Sequence, residues 1–409
     1  MQKLGGAAIL MQKNSDKITY IIGNDEILKK LSKQPSVPPF SDERMEFLNK
    51  VSKCLLADRS ARKFPDVITF AFWCRRASME KQKSRFVLRE ANTIRLGRGV
   101  AFHIAPSNVA VNYAYSFAIG FITGNMNIVR IPSKEFPQVD VINSALCNAL
   151  KEMPEMQKTI CFIKYERSKE INDMLSAMAD VRIIWGGDHT IRELRKSELK
   201  PRASEITFAD RYSICVIDAD VYLKLENKER KAEEFYNDTY LTDQNACTSP
   251  RIILWMGRER ERAKEEFWGY LYKKVKREYS YQAIQGINKL TSLYLLAAEQ
   301  EEVKLKKILD NSLVRVHVGK LTEELIKYRD NSGYFIEYDM DDIREILPLC
   351  REQLQTLSYI GNVEMFKPLL ELGVKGVDRI VPVGKTMDFD FIWDGYDLVE
   401  RLSRIRFVI

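Results

Sequence analysis

From residue 100 to residue 196 the chain alternates between short apolar runs and helical patterns, and this alternation constrains the fold more than any other feature. Residues 100–105 read as a strand, 109–122 as a helix, 126–131 as a strand and 138–153 as a helix. Residues 159–165, 169–179, 181–185 and 190–196 repeat the cycle. Such an order implies parallel strands joined by right-handed helical crossovers, the doubly wound architecture that takes nucleotides at the carboxyl ends of its strands. A second series follows: a strand at 252–256, helices at 260–278 and 288–308, and shorter alternating elements to residue 372. The expected fold class is therefore α/β, a doubly wound nucleotide-binding lobe followed by a second α/β lobe.

Neither G-x-G-x-x-G nor G-x-x-x-x-G-K-[ST] occurs, so the two commonest phosphate-binding fingerprints are absent. Trp185-Gly186-Gly187-Asp188 does occur, directly after one strand and before a helix. Glycines at that point let a backbone approach a pyrophosphate, and the helix N-terminus behind them favours an anion. The same pair also reads simply as a turn.

Residues 241–252, L-T-D-Q-N-A-C-T-S-P-R-I, lie between a charged helical run and an apolar strand. Cys247 stands there among small and polar neighbours, whereas an inert free cysteine is normally a small buried hydrophobe. A thiol at such a boundary is placed to be reached by a substrate. The other cysteines differ: Cys54 and Cys74 fall on apolar helical stripes, Cys147 within a helix, and Cys161 and Cys215 inside apolar strands, so all five read as packing residues.

Seven scattered cysteines with no C-x-x-C pair exclude a disulfide framework and a thiolate zinc site, and point to reduced thiols in a cytoplasmic protein. Three distant histidines, His103, His189 and His317, argue against a histidine metal centre. At 409 residues the chain fits two or three packed lobes. The net charge of +7 comes from 64 basic residues interleaved with 57 acidic ones, which suits phosphate-bearing small molecules rather than nucleic acid. The longest apolar stretch, 109–123, is short of the ~20 residues a membrane span needs, and the apolar run near residue 9 is too short for a signal peptide. Ahead of the alternating region, strands are expected at 7–11, 18–22 and 85–90. Helices are expected at 26–33, 42–56 and 66–81, with a Pro-rich break, Q-P-S-V-P-P-F, at 34–40.

The strand into Pro106-Ser107-Asn108, the apolar helix ending T-G-N and the strand into Arg130-Ile131-Pro132-Ser133-Lys134 resemble the aldehyde dehydrogenase superfamily. Within it, F-H-I-A-P-S-N-V, G-N-M-N-I-V-R, I-W-G-G-D, D-Q-N-A-C-T-S-P-R, V-D-R-I-V-P-V-G-K and W-D-G-Y are similar to the LuxC-type fatty acyl-CoA reductases. These blocks run in the family's order over residues 97–405; the first ninety residues match weakly.

The resemblance implies an NADPH-dependent reduction of an acyl-CoA to the aldehyde through an acyl-cysteine. Cys247 would be the nucleophile and Asn108 the oxyanion donor, although asparagine after a strand is also a good helix cap. Arg130, Pro132, Ser133, Lys134, Trp185, Gly186 and Gly187 would bind the cofactor. Cations at 130 and 134 suit a 2′-phosphate, hence NADP, and also read as solvated surface charges. Thr207 stands where aldehyde-oxidising relatives carry a water-activating glutamate, with Glu205 two residues away as a displaced base. The implied lobes are an N-terminal helical segment (1–96), an NADP-binding lobe (97–239), a catalytic lobe (240–375) and a C-terminal return segment (376–409). An acyl-protein synthetase or acyltransferase partner and a homo-oligomer are implied as well. The competing reading is a CoA-acylating aldehyde dehydrogenase acting on short aldehydes.

Overall fold

The computed structural model describes residues 17–89, 93–106, 109–306 and 310–408. They form two compact units, one running to Ala209 and including Tyr396 onward, the other spanning Asp210–Gly395.

In the first unit, β1 (Thr19–Ile22), β3 (Val100–Ile104), β4 (Met126–Arg130), β5 (Ile160–Lys164), β6 (Val181–Trp185) and β7 (Ser204–Phe208) make a six-stranded sheet in the order β1-β5-β4-β3-β6-β7. All neighbours are parallel except β1, which runs antiparallel along β5. The chain moves from β3 outward through β4 and β5, then returns to the other side of β3 for β6 and β7. The strand order thus reverses between β3 and β6, where doubly wound sheets hold ligands at their carboxyl ends. Both faces are covered: Val100, Phe102, Ile104, Met126, Ile128 and Ile184 share one core cluster. On the other face the apolar helix Asn112–Ile122 packs Phe117 edge-on to Phe162, 5.0 Å between ring centroids. A separate ribbon pairs β2 (Thr93–Gly97) with the C-terminal strand Ser403–Val408.

The second unit holds a seven-stranded sheet in the order β10-β11-β12-β9-β8-β13-β14. Its strands are β8 (Tyr212–Asp218), β9 (Pro250–Met256), β10 (Lys304–Leu305), β11 (Val314–His317), β12 (Tyr334–Asp339), β13 (Leu354–Ile360) and β14 (Arg379–Pro382), parallel apart from β10. Alternate residues of β8 feed opposite cores, with Ile214 and Val216 in one and Cys215 and Ile217 in the other. That is why β8 reads as an unbroken apolar run.

Several expected elements differ. Residues 85–89 are not a strand: the helix Arg76–Arg89 continues through them, burying Met79 and Phe86. The helix expected at 66–81 is two, Pro65–Trp73 and Arg76–Arg89. The second unit begins at Asp210 rather than at residue 240, because β8 hydrogen-bonds to β9 and β13 and so belongs to the later sheet. The strand expected at 7–11 lies outside the described residues. No helix among the described residues is long and apolar enough to cross a membrane.

Candidate active site

Cys247 lies in the turn that feeds β9. After the helix Lys228–Thr239 the chain passes a 3-10 turn and then places two non-glycine residues, Asp243 (φ 50) and Gln244 (φ 59), in the left-handed region. Each costs roughly 1–2 kcal/mol and persists only where its surroundings over-determine it. The fully buried Gln244 side chain supplies that constraint. Its Nε2 donates to Pro250 O (3.1 Å) and Tyr334 O (3.2 Å), and its Oε1 accepts from Gly333 N (2.9 Å) and Tyr334 N (3.2 Å). Every hydrogen-bonding valence of the amide is used. Ser213 Oγ, on β8, donates to Cys247 O at 2.7 Å, fixing the cysteine main chain.

Two irregularities meet at Ser213. On one side Ser213 faces Pro250 while Ile214 faces Ile252, leaving Arg251 as an extra residue in β9. On the other, Tyr212 faces Leu354 while Ser213 faces Thr356, leaving Gln355 as an extra residue in β13. Bulges re-aim side chains. Arg251 Nη2 donates to Gln244 O (2.5 Å) and Nη1 to Asp330 O (2.8 Å) and to Asn331 Oδ1, so its cation closes the cysteine turn. Gln355 Nε2 donates to Asp394 Oδ1, and the bulge sets the Gln355 residue beside Ser213, whose hydroxyl holds Cys247 O.

The electrostatics follow from this packing. Burial, and then the negative charge of Asp394, push the Cys247 thiol up to about 11, against the pull of the polar Gln355 side chain, the Cys247 backbone N–H and the Arg251 charge. Burial raises Asp394 to about 6, opposed by Gln355, Arg211 and Arg379 and reinforced by Asp378. At neutral pH the resting group is thus a protonated thiol beside a mostly ionised carboxylate. Arg379 lies over the Trp393 ring at 4.3 Å and donates to Thr386 O (3.2 Å) and Asp388 O (3.2 Å), which holds the returning segment in place. Gln355 is not singled out by sequence, because a bulge is a property of strand pairing, and Arg251 was visible only as the end of D-Q-N-A-C-T-S-P-R. Asp394 was visible only as part of W-D-G-Y.

In the first unit, Arg130 ends β4 with its guanidinium over the Tyr165 ring (4.3 Å) and Nη2 donating to Tyr165 O (3.3 Å). Pro132 is buried, whereas Ser133 and Lys134 are exposed, the latter with its ammonium 5.1 Å from the Phe136 ring. Trp185 corrects the expectation placed on it. Its indole is turned inward, stacked on Phe208 at 3.7 Å and donating to Ser116 Oγ at 3.0 Å, so its side chain is part of the core. Gly186 is half-buried against Thr190, and Gly187 is exposed with nothing within 4 Å of where a side chain would begin. Gly187 caps the helix Asp188–Arg195 without any side-chain bond, leaving its first N–H groups open to an anion. These features fit a dinucleotide phosphate. Glu205 is engaged by Arg182 and Arg195, which removes it as a displaced base. Asn108 lies outside the described residues. Among the described residues no group of three or more His, Cys, Asp and Glu is arranged to hold a metal ion.

Residues 53–330 match the model of a family described as Acyl-CoA reductase (LuxC). Among solved structures the chain is similar to a NAD-dependent benzaldehyde dehydrogenase from Corynebacterium glutamicum, with 13% identity over 96% of this chain and 95% of that one and a TM-score of 0.64. A salicylaldehyde dehydrogenase from Pseudomonas putida G7 gives 12% identity, 98% and 89% coverage and a TM-score of 0.63. An oxidoreductase from Marinobacter aquaeolei gives 10%, 93% and 90%, and 0.65. At these identities the likeness is one of fold. No curated protein matches the chain.

Proposed function

The chain belongs to the LuxC family of acyl-CoA reductases, aldehyde-forming oxidoreductases that draw on a nicotinamide cofactor, and from that premise we propose that it reduces a fatty acyl-CoA with NADPH through an acyl group held on Cys247. The observation that carries this reading is the construction around Cys247, where a strained turn, a fully satisfied Gln244 amide and two bulges converge on one thiol. No other cysteine of the second unit has such a setting; Cys215 and Cys350 are buried core thiols.

In this reading the Cys247 sulfur, after losing its proton, attacks the thioester carbonyl carbon, and the C–S bond to coenzyme A then breaks to leave an acyl-cysteine. Coenzyme A departs as the thiol, carrying that proton. The Asn108 amide, assigned from the family pattern, and the Cys247 backbone N–H receive the oxyanion, donors of a kind that contribute ~3 kcal/mol apiece. The nicotinamide, when bound, supplies the hydride that converts the acyl group to the aldehyde. Arg130, Pro132, Ser133 and Lys134 at the end of β4, with Gly186 and Gly187 at the end of β6, would hold it. The exposed Lys134 ammonium suits a 2′-phosphate, which supports NADPH over NADH. Thr207 has no carboxylate and that of Glu205 is occupied, so the acyl-cysteine is left to persist in water. The acyl group would come from coenzyme A or through an acyl-protein synthetase or acyltransferase partner, and a homo-oligomer belongs to the same reading.

Incubating the full chain with acyl-CoAs of graded length, without cofactor, and mapping the adduct by mass spectrometry tests the proposal. The acyl group is expected on the Cys247 peptide, absent from Cys247→Ala, and released as aldehyde faster by NADPH than by NADH. An adduct on Cys54, Cys74 or Cys350 overturns the nucleophile; equal release by the two cofactors overturns the NADPH preference.

A further inference from the structure

Resting on the reading of Cys247 as nucleophile, we propose that Gln355 is a further catalytic residue of this site, its amide N–H donating to the Cys247 sulfur, and that Asp394 is the positioning residue that decides which end of that amide faces the sulfur.

The placement comes from the strand ladder. Gln355 is the extra residue of the β13 bulge beside Ser213, and Ser213 is the residue whose hydroxyl holds Cys247 O. The bulge therefore brings the Gln355 side chain and the cysteine turn to the same end of β8. Gln355 and Asp394 are both buried, 0% and 5% exposed, so the amide cannot trade its partners for water.

Orientation is the second step. A glutamine amide presents N–H donors at one end and a carbonyl acceptor at the other, whereas an ionised carboxylate only accepts. Asp394 Oδ1 takes a hydrogen from Gln355 Nε2. The other hydrogen of that same nitrogen is left for the sulfur. The flipped amide would set its carbonyl oxygen against the carboxylate, oxygen to oxygen, and would present that oxygen rather than an N–H to the thiolate. Gln355 Oε1 has no hydrogen-bond partner of its own, as expected if the amide's orientation is imposed from its nitrogen end. Asp394 is itself held for this task, in a left-handed conformation (φ 48) followed by Gly395 (φ 71).

The charges around the pair are accounted for. Asp394 opposes the Cys247 thiolate and Arg251 favours it; Arg211, Asp378 and Arg379 act on Asp394. Asp394 therefore has two effects of opposite sign on the thiol. Its charge disfavours the thiolate, and its grip on Gln355 favours it.

The pH profile of iodoacetamide alkylation at Cys247, read on the Cys247 peptide of the full chain without substrate, separates these effects. Gln355→Leu, of similar volume but with no N–H, is expected to raise the midpoint by about one pH unit, so that alkylation below the midpoint slows about tenfold. Asp394→Asn and Asp394→Gly both tolerate the left-handed backbone and both remove the charge, but only asparagine keeps an acceptor for Gln355 Nε2. Asp394→Asn is therefore expected to alkylate faster than wild type, and several-fold faster than Asp394→Gly. That difference should vanish when Gln355→Leu is added, because the acceptor then has no amide to orient. Gln355→Leu titrating like wild type, or Asp394→Asn and Asp394→Gly alkylating alike, overturns the proposal. Failure of the nucleophile reading shows separately, as wild-type protein that forms no acyl adduct on Cys247.

Discussion

Glu205 sits opposite Arg182 in the β6–β7 ladder, and its two oxygens are shared between Arg182 (Nε 2.9 Å, Nη2 2.5 Å) and Arg195 (Nε 2.7 Å). Arg182 is almost fully buried, and its Nη1 donates to Ser176 Oγ, Leu194 O and Ser197 O. A buried cation needs its counter-ion, and removing one partner of such a pair costs ~3–5 kcal/mol. Glu205→Gln should thus lower the melting temperature markedly while leaving hydrolysis of the acyl-Cys247 adduct at the wild-type rate. Rapid free-acid release in wild type that stops in Glu205→Gln would return this carboxylate to the chemistry. In sequence Glu205 stands only as a carboxylate two residues from Thr207; the neighbouring strand reveals the arginine that claims it.

The Pro-rich segment at 34–40 reads as a break, yet in the first unit it is bound at three points. Val37 N donates to Gly124 O (3.2 Å), Gly97 N to Val37 O (3.0 Å) and Phe40 N to Ile122 O (2.8 Å). Gly124 makes this approach possible: its φ is 94, and a side-chain carbon there would overlap Val37 O, a backbone atom with no freedom to retreat. Gly124→Ala should therefore destabilise by about 2–4 kcal/mol, from left-handed strain plus overpacking. Gly187→Ala is the contrast, with φ −64 and open space around it, and should change stability by less than about 1 kcal/mol. Denaturant melts of the two variants check both numbers. At this scale the sequence carried the parallel strands of the first sheet well, since both faces are buried and the apolar runs are continuous. It missed the break after Trp73 and the helical continuation to Arg89, because a charged, weakly periodic run gives a weak helical signal.

Stability as a function of pH belongs to the whole molecule. Asp238, buried on the helix Lys228–Thr239, accepts from Gly384 N (2.6 Å) and Thr386 N (3.2 Å), clipping the loop after β14. Burial raises it to about 7 despite those bonds. Its folded value lies above the ~3.9 of an unfolded aspartate, so its contribution is complete below about pH 4 and is lost as pH rises towards 7. His103 works the other way. Buried between Ser116 and Asn127, it is lowered to about 4, and stability falls as pH drops from ~6.5 through that value. Asp238→Asn removes one titration and leaves His103 in place. Between pH 5 and pH 8 the wild-type melting temperature should fall relative to the Asp238→Asn variant, and parallel curves would refute the assignment.

The alternation of strands and helices, the two-lobed α/β class and the setting of the turn that carries Cys247 are legible in sequence, because each rests on local chemistry: apolar runs, crossover lengths, and a thiol among small polar residues. What the tertiary structure alone decided is which side chains share that thiol's surroundings. Arg251, Gln355 and Asp394 are four to one hundred and forty-seven residues from Cys247 along the chain, and two of them reach it through one-residue bulges on either side of β8. A bulge exists only between paired strands, and a pKa depends on burial and neighbouring charge. Neither is a property of residues taken in order.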